Sequence, residues 1–136
     1  MKIKMSVAVA TLLMALPLAA HAEGDAAKGE KIFNKCKICH SIGPDAKPKA
    51  TGPVLNGVIG RQPGTDPSYA NFKGKDRYSK AMKAKGEEIK AWSEETISTY
   101  LKDPKKFVPK NRMAFVGLPK EQDRADVIAY IKQYSK

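Results

Sequence analysis

Apolar residues fall into two patterns along this chain. Positions 7–18 form one nearly unbroken apolar run, and beyond it apolar residues come in short stripes at helical spacing. The run is preceded by Lys2 and Lys4 and followed by Ala20-His21-Ala22. A basic start, a short apolar centre and a small-x-small site read as an export leader. The run is shorter than the roughly 20 residues a membrane span needs, and a retained anchor is the alternative. The expectation is a cleaved leader over 1–22, Sec-type export to a bacterial periplasm, and a single domain over 23–136.

The stripes predict helices. Ala26, Gly29, Phe33 and Cys36 define one face of a first helix, capped by Asp25 and running into Cys36. Gly29 costs this helix about 1 kcal/mol against Ala, which a close helix contact would rationalise. From 41 to 75 no period persists, and Gly, Pro, Lys and Asp mark loops and turns. Tyr78 begins a short helix that Gly86 ends. Ser93 caps a stronger one, with Glu94 and Glu95 in its first turn and Ile97, Tyr100 and Leu101 on its apolar side. Asp103-Pro104 stops it. Positions 107–118 are apolar but irregular, and Pro119 opens a last helix to about Ser135, with Val127, Ile128, Ile131 and Tyr134 on one face. The fold class is therefore all-α, a small domain of short helices and long loops.

Such a domain has few apolar residues for so much loop, and a buried cofactor would supply the missing apolar surface. Charge narrows the partners. The formal net charge is +11, or +9 without Lys2 and Lys4, so acidic partners are favoured. Nucleic acid is set aside, because the leader exports the protein and no nucleic-acid-binding motif is present.

The chemistry concentrates in Cys36-Lys37-Ile38-Cys39-His40. C-x-x-C-H is the attachment signature of a c-type haem, with both thiols bonded to the porphyrin and His40 Nε2 on the iron. A disulfide over so short a loop would constrain the unfolded chain little. A thioredoxin-like pair needs a βαβ context that is absent, and zinc needs two further soft ligands. His40 is the only histidine left once His21 departs with the leader, so a second imidazole ligand is ruled out and the sixth ligand is Met, Lys, a terminal amine or nothing. A carbonyl from the Pro-containing turn at 51–57 would fix the His40 tautomer through Nδ1–H. Arg61 is either a surface cation or a buried partner for a haem propionate. Of the two methionines in the mature chain, Met82 lies on a helix and suits core packing. Met113 lies in an irregular segment, which brings a thioether to the iron more easily. His and Met together favour Fe(II) and leave no open site, which suits electron transfer.

Several further stretches carry a resemblance. They are Thr51-Gly52-Pro53-Val54-Leu55, the run Asp103-Pro104-Lys105-Lys106-Phe107-Val108-Pro109, and Asn111-Arg112-Met113-Ala114-Phe115-Val116-Gly117. With the haem motif, they resemble the class I cytochromes c, the group of mitochondrial cytochrome c and the small periplasmic cytochromes c of proteobacteria. The resemblance covers the chain from about Gly24 onward. It implies that the Pro53 carbonyl orients His40 and that Gly29, Phe33 and Tyr130 mark the crossing of the first and last helices. It implies propionate contacts from Arg61, Trp92 and Tyr78, with Tyr69 a rival to Tyr78. Tyr100 would neighbour the axial Met113, Phe115 would lie beside the haem edge, and Asn111 would donate to a propionate. Two departures stand out: the stretch 66–90 is longer than in the mitochondrial protein, and Met82 takes the place of a pocket asparagine.

The resemblance also implies a docking face of lysines around the haem edge, here Lys35, Lys105 and Lys106, joined by Arg112 and Lys120. The function it implies is a soluble, monomeric one-electron carrier with one covalent haem c. Its partners would be acidic surfaces of a cytochrome bc complex, an oxidase, a reaction centre or a periplasmic dehydrogenase. The alternatives are a dedicated acceptor subunit for one dehydrogenase, and a haem peroxidase or gas sensor, which would need an open sixth site.

Overall fold

The structure, a computed structural model, describes residues 22–135. The leader expected over 1–22 lies outside them, apart from Ala22. Helix α1 spans Ala26–Phe33 and opens at Asp25, whose carboxylate accepts from the backbone N–H groups of Ala27 and Lys28. It stops short of Cys36, where the sequence predicted it would run. Single turns carry the chain onward, with Cys36 N–H on Phe33 O at 2.8 Å and His40 N–H on Cys36 O at 2.8 Å. The final helix spans Glu121–Lys132, rather than starting at Pro119, and single turns extend it to Ser135.

These two helices cross where Gly29 is buried. A Cβ at Gly29 would lie 1.9 Å from Asp126 O, so the backbones meet at a distance only glycine allows. Phe33 packs its ring 5.2 Å from that of Tyr130 and is fully buried, as is Val127. Burial of one such side chain stabilises by roughly 1.5–3 kcal/mol. The crossing expected from Gly29, Phe33 and Tyr130 is thus present. The carboxylate of Asp126 locks it, accepting Asp25 N–H at 2.8 Å and Gln122 Nε2–H at 2.8 Å.

Between the terminal helices lie four others, α2 (Pro67–Ala70), α3 (Lys80–Ile89), α4 (Glu94–Lys102) and α5 (Pro104–Phe107), which makes the final helix α6. The sequence reading placed only loops over 41–75, yet α2 sits there, capped by Asp66 with Pro67 in its first turn. Likewise Asp103-Pro104 ends α4 but also starts α5, where the Asp103 side chain accepts from Lys106 N–H. Helix α3 begins after Ser79, not at Tyr78, and passes through Gly86. Gly86 is therefore not its stop. It is buried against Pro63 O, which a Cβ would approach to 2.1 Å. Lys90 ends α3 instead, at a left-handed φ of 64°. Helix α4 begins as expected at Ser93, in a reciprocal capping box with Thr96.

Candidate haem site

Cys36 and Cys39 are free thiols, and no disulfide joins them. Burial pushes the Cys36 thiol up to about 11, although Lys35 pulls it the other way. That is the reverse of what a dithiol redox pair requires, since its nucleophile needs a lowered pKa. Nor is there, among the described residues, a group of three or more His, Cys, Asp or Glu able to hold a metal ion.

His40 Nδ1 lies 2.9 Å from Pro53 O. A carbonyl only accepts, so Nδ1 carries the hydrogen and Nε2 keeps its lone pair. Burial, the leading cause, lowers the His40 pKa, as do the charges of Lys49 and Arg61. The neutral ring that metal binding needs is thus favoured. Gly52 shapes the other side: a Cβ there would lie 2.8 Å from His40 Nδ1 and 2.6 Å from Cys39 O. Bridging of Ser41 with Val54 holds this loop beside the motif.

Met113 is held from two sides. Tyr100 on α4 directs its O–H to Met113 Sδ at 3.6 Å, a normal reach for sulfur. Burial raises the Tyr100 pKa far above the physiological range, so the phenol keeps the proton it donates. Met113 N–H donates to Asn111 Oδ1 at 2.7 Å. Asn111 Nδ2 spends both hydrogens on Pro104 O and Val108 O, at 2.9 and 2.8 Å. Both donors are thus used within the chain, and the Asn111 side chain braces the Met113 loop.

Arg124 was not foreseen. It is buried on α6 and donates to Leu118 O at 2.8 Å, to Pro119 O at 2.7 Å and to Ser98 Oγ at 3.0 Å. It thereby ties the far end of the Met113 loop to α4 and α6. The signal lay in the helical period, since Arg124 stands three and four residues before the buried Val127 and Ile128.

The other pocket residues are also gathered. Trp92 is buried, 5.2 Å ring to ring from Tyr100 and 6.2 Å from Phe107. Tyr69 and Tyr78 contact each other edge to face at 4.9 Å, so the two rivals share one place, Tyr69 being the more buried. Arg61 proves to be an internal partner. Its guanidinium donates to Asp66 at 3.0 Å, to Asn56 O at 3.1 Å and to Val54 O at 2.9 Å. Phe115 is half-buried, while its neighbour Val116 and the motif's Ile38 are exposed. Lys35, Lys105, Lys106, Arg112 and Lys120 are exposed, and none is in an ion pair among the described residues.

Comparison with known proteins settles what family this arrangement is. The family described as "Cytochrome c" matches residues 26–135. The chain belongs to the cytochrome c family. It is 48% identical to a cytochrome c2 from Rhodomicrobium vannielii, over 82% of this chain and 81% of that one. A cytochrome c2 from Blastochloris viridis is 45% identical over 90% of this chain and 88% of its own. Among solved structures, cytochrome c2 from Rhodospirillum centenum superposes with a TM-score of 0.72 at 43% identity, over 83% of this chain and all of that one. The fold is that of the class I cytochromes c, and the cofactor is a covalently bound haem c. The chain's own atoms suit it: two unbridged thiols, an imidazole with Nε2 left free, and a glycine where any side chain would crowd that ring.

Proposed function

We infer that this cytochrome c is a soluble periplasmic carrier of single electrons in a respiratory or photosynthetic chain, and not an enzyme. His40 Nε2 and Met113 Sδ would be the two protein ligands to the haem iron. The observation that carries this reading is that the chain holds the two residues independently, the His40 ring through Pro53 O, the Met113 thioether through Tyr100 O–H and the Met113 backbone through Asn111. The haem supplies a one-electron couple, and a thioether ligand raises its potential. The protein's part is to keep both ligands still, so that little rearrangement accompanies a change of charge. Tyr100 keeps Sδ directed by its O–H, and buried Trp92 and Tyr100, with half-buried Phe107 packed against them, exclude water beside it.

Docking follows from the surface. Exposed Val116 and Ile38 offer an apolar contact. Lys35 beside the motif and Lys105, Lys106 and Arg112 beside the Met113 loop offer unpaired positive charge. These suit the acidic face of a bc-type complex, an oxidase, a reaction centre or a dehydrogenase. The chain acts as a monomer. No helix among the described residues is long and apolar enough to cross a membrane.

The test is the visible and near-infrared spectrum of the purified protein. The ferric wild type is expected to be low-spin with a thioether charge-transfer band, and Met113→Ala is expected to lose that band and become high-spin. A wild type already high-spin in the ferric state would overturn the ligand assignment.

A further inference from the structure

Around the Tyr69–Tyr78 ring pair, two arginines meet different fates. Arg61 is neutralised by Asp66, and Asp66 in turn is fully engaged, accepting also from Ser68 Oγ and Tyr69 N–H. Arg77 has no such partner. Its Nε–H is buried and meets no acceptor, the one such side-chain nitrogen or oxygen among the described residues. The neighbouring Asp76 is taken by Lys83. An unpartnered buried N–H on a charged group costs about 1–3 kcal/mol or more, so its persistence calls for a purpose.

Arg77 is nonetheless held in place. Its guanidinium lies 5.4 Å over the Phe72 ring. Its backbone N–H donates to Tyr69 O at 3.3 Å, and its carbonyl accepts from Arg112 Nη1 at 2.8 Å. Through that last bond Arg77 is joined to the residue next to Met113. Both Arg77 and Arg112 sit close enough to the Tyr69 hydroxyl to pull its pKa down against burial, which raises it.

We propose that Arg77, braced by Arg112 and Tyr69, is a positioning residue for a haem propionate. The edge formed by Nε–H and an Nη–H presents two parallel donors that match the two oxygens of a carboxylate. An acidic side chain from a docked partner has the same chemistry, but the burial of Nε favours a carboxylate from within. The inference rests on the haem c reading above. A cation fixed beside the haem disfavours the added positive charge of the ferric state, so Arg77 raises the reduction potential.

The test uses the full holoprotein. With 15N-labelled arginine, the Arg77 Nε–H resonance is expected to exchange slowly with water and to shift between the ferric and ferrous states. In Arg77→Gln the equilibrium with a fixed-potential mediator is expected to move toward the ferric form by about threefold to tenfold, or about 30–60 mV at 59 mV per decade. Arg77→Lys recovers part of the shift. A resonance that exchanges rapidly and ignores oxidation state, or an Arg77→Gln protein with wild-type potential, would overturn the proposal. So would an Nε–H signal that becomes protected only when an acidic partner is added. Should Arg77→Gln fail to assemble, the wild-type resonance alone decides. Absence of any c-type haem spectrum from the wild type would instead remove the reading on which the proposal rests.

Discussion

At Gly52 the requirement on one residue is steric and nothing else. A methyl group there would press on Cys39 O at 2.6 Å and on His40 Cε1 and Nδ1 at 2.8 Å. Gly52→Ala must therefore push the Pro53 turn outward or rotate the imidazole. Overpacking of this kind costs about 1–3 kcal/mol. The variant is expected to unfold at a lower denaturant midpoint than the wild type, with an altered haem potential, and a midpoint unchanged in guanidinium titration would refute it. At this scale the sequence was informative where chemistry is contiguous. Cys36, Cys39 and His40 are legible as a motif, whereas Asn111 was not. Its side chain resembles a propionate donor in sequence, and only the approach of Pro104 O and Val108 O shows where both hydrogens go. Arg61 likewise gave no sign in sequence of its pairing with Asp66.

Elements were legible in proportion to their length and capping. Helices α4 and α6 follow from Ser93 and from the Val127, Ile128 and Ile131 stripe. Helices α2 and α5 are single turns, too short for any period, and each is announced only by an Asp-Pro pair that also reads as a stop. Gly86 shows the converse ambiguity, because a helix-ending glycine and a close-contact glycine look alike until Pro63 is placed. The α1–α6 crossing carries a pH dependence. Bonds from Asp25 N–H, the leading cause, and from the Gln122 side chain hold the Asp126 carboxyl below its usual range. A carboxyl with a lowered folded pKa stabilises the fold above its unfolded pKa of about 3.9, and that stability is lost as pH falls through the folded value. Asp126→Asn keeps the shape but removes the charge that strengthens both bonds. It is expected to lose roughly 1 kcal/mol at pH 7 and to converge on the wild type near pH 2, as read by urea unfolding at the two pH values. An equal deficit at both would show that the carboxylate's charge plays no part.

For the whole molecule, the net charge of +11 is plain from the sequence, but its distribution depends on which cations the fold neutralises. Ion pairs take Lys28, Arg61, Lys83, Lys85, Lys90 and Lys132. Those on and just after α3, Lys83, Lys85 and Lys90, form a side whose charges largely cancel, whereas Lys35, Lys105 and Lys106, beside the haem motif and the Met113 loop, are in no ion pair among the described residues. A carrier that must dock and leave quickly gains from such asymmetry, because long-range attraction accelerates encounter more than it tightens the complex. Lys35→Glu combined with Lys105→Glu removes two positive charges from that face and adds two negative ones. Association with an acidic redox partner, followed by stopped flow, is expected to slow by about tenfold or more at low salt. The deficit should shrink as ionic strength rises, since charges separated by more than about 10 Å are largely screened at 0.1 M. Neither lysine touches His40, Met113 or Tyr100, so the axial spectrum should stay that of the wild type and the potential should move little. A control pair on the neutralised side, Lys83→Glu with Lys90→Glu, changes the net charge equally and should slow association far less. Equal slowing by both pairs would mean that overall charge, and not a face built around the haem edge, brings the partner in.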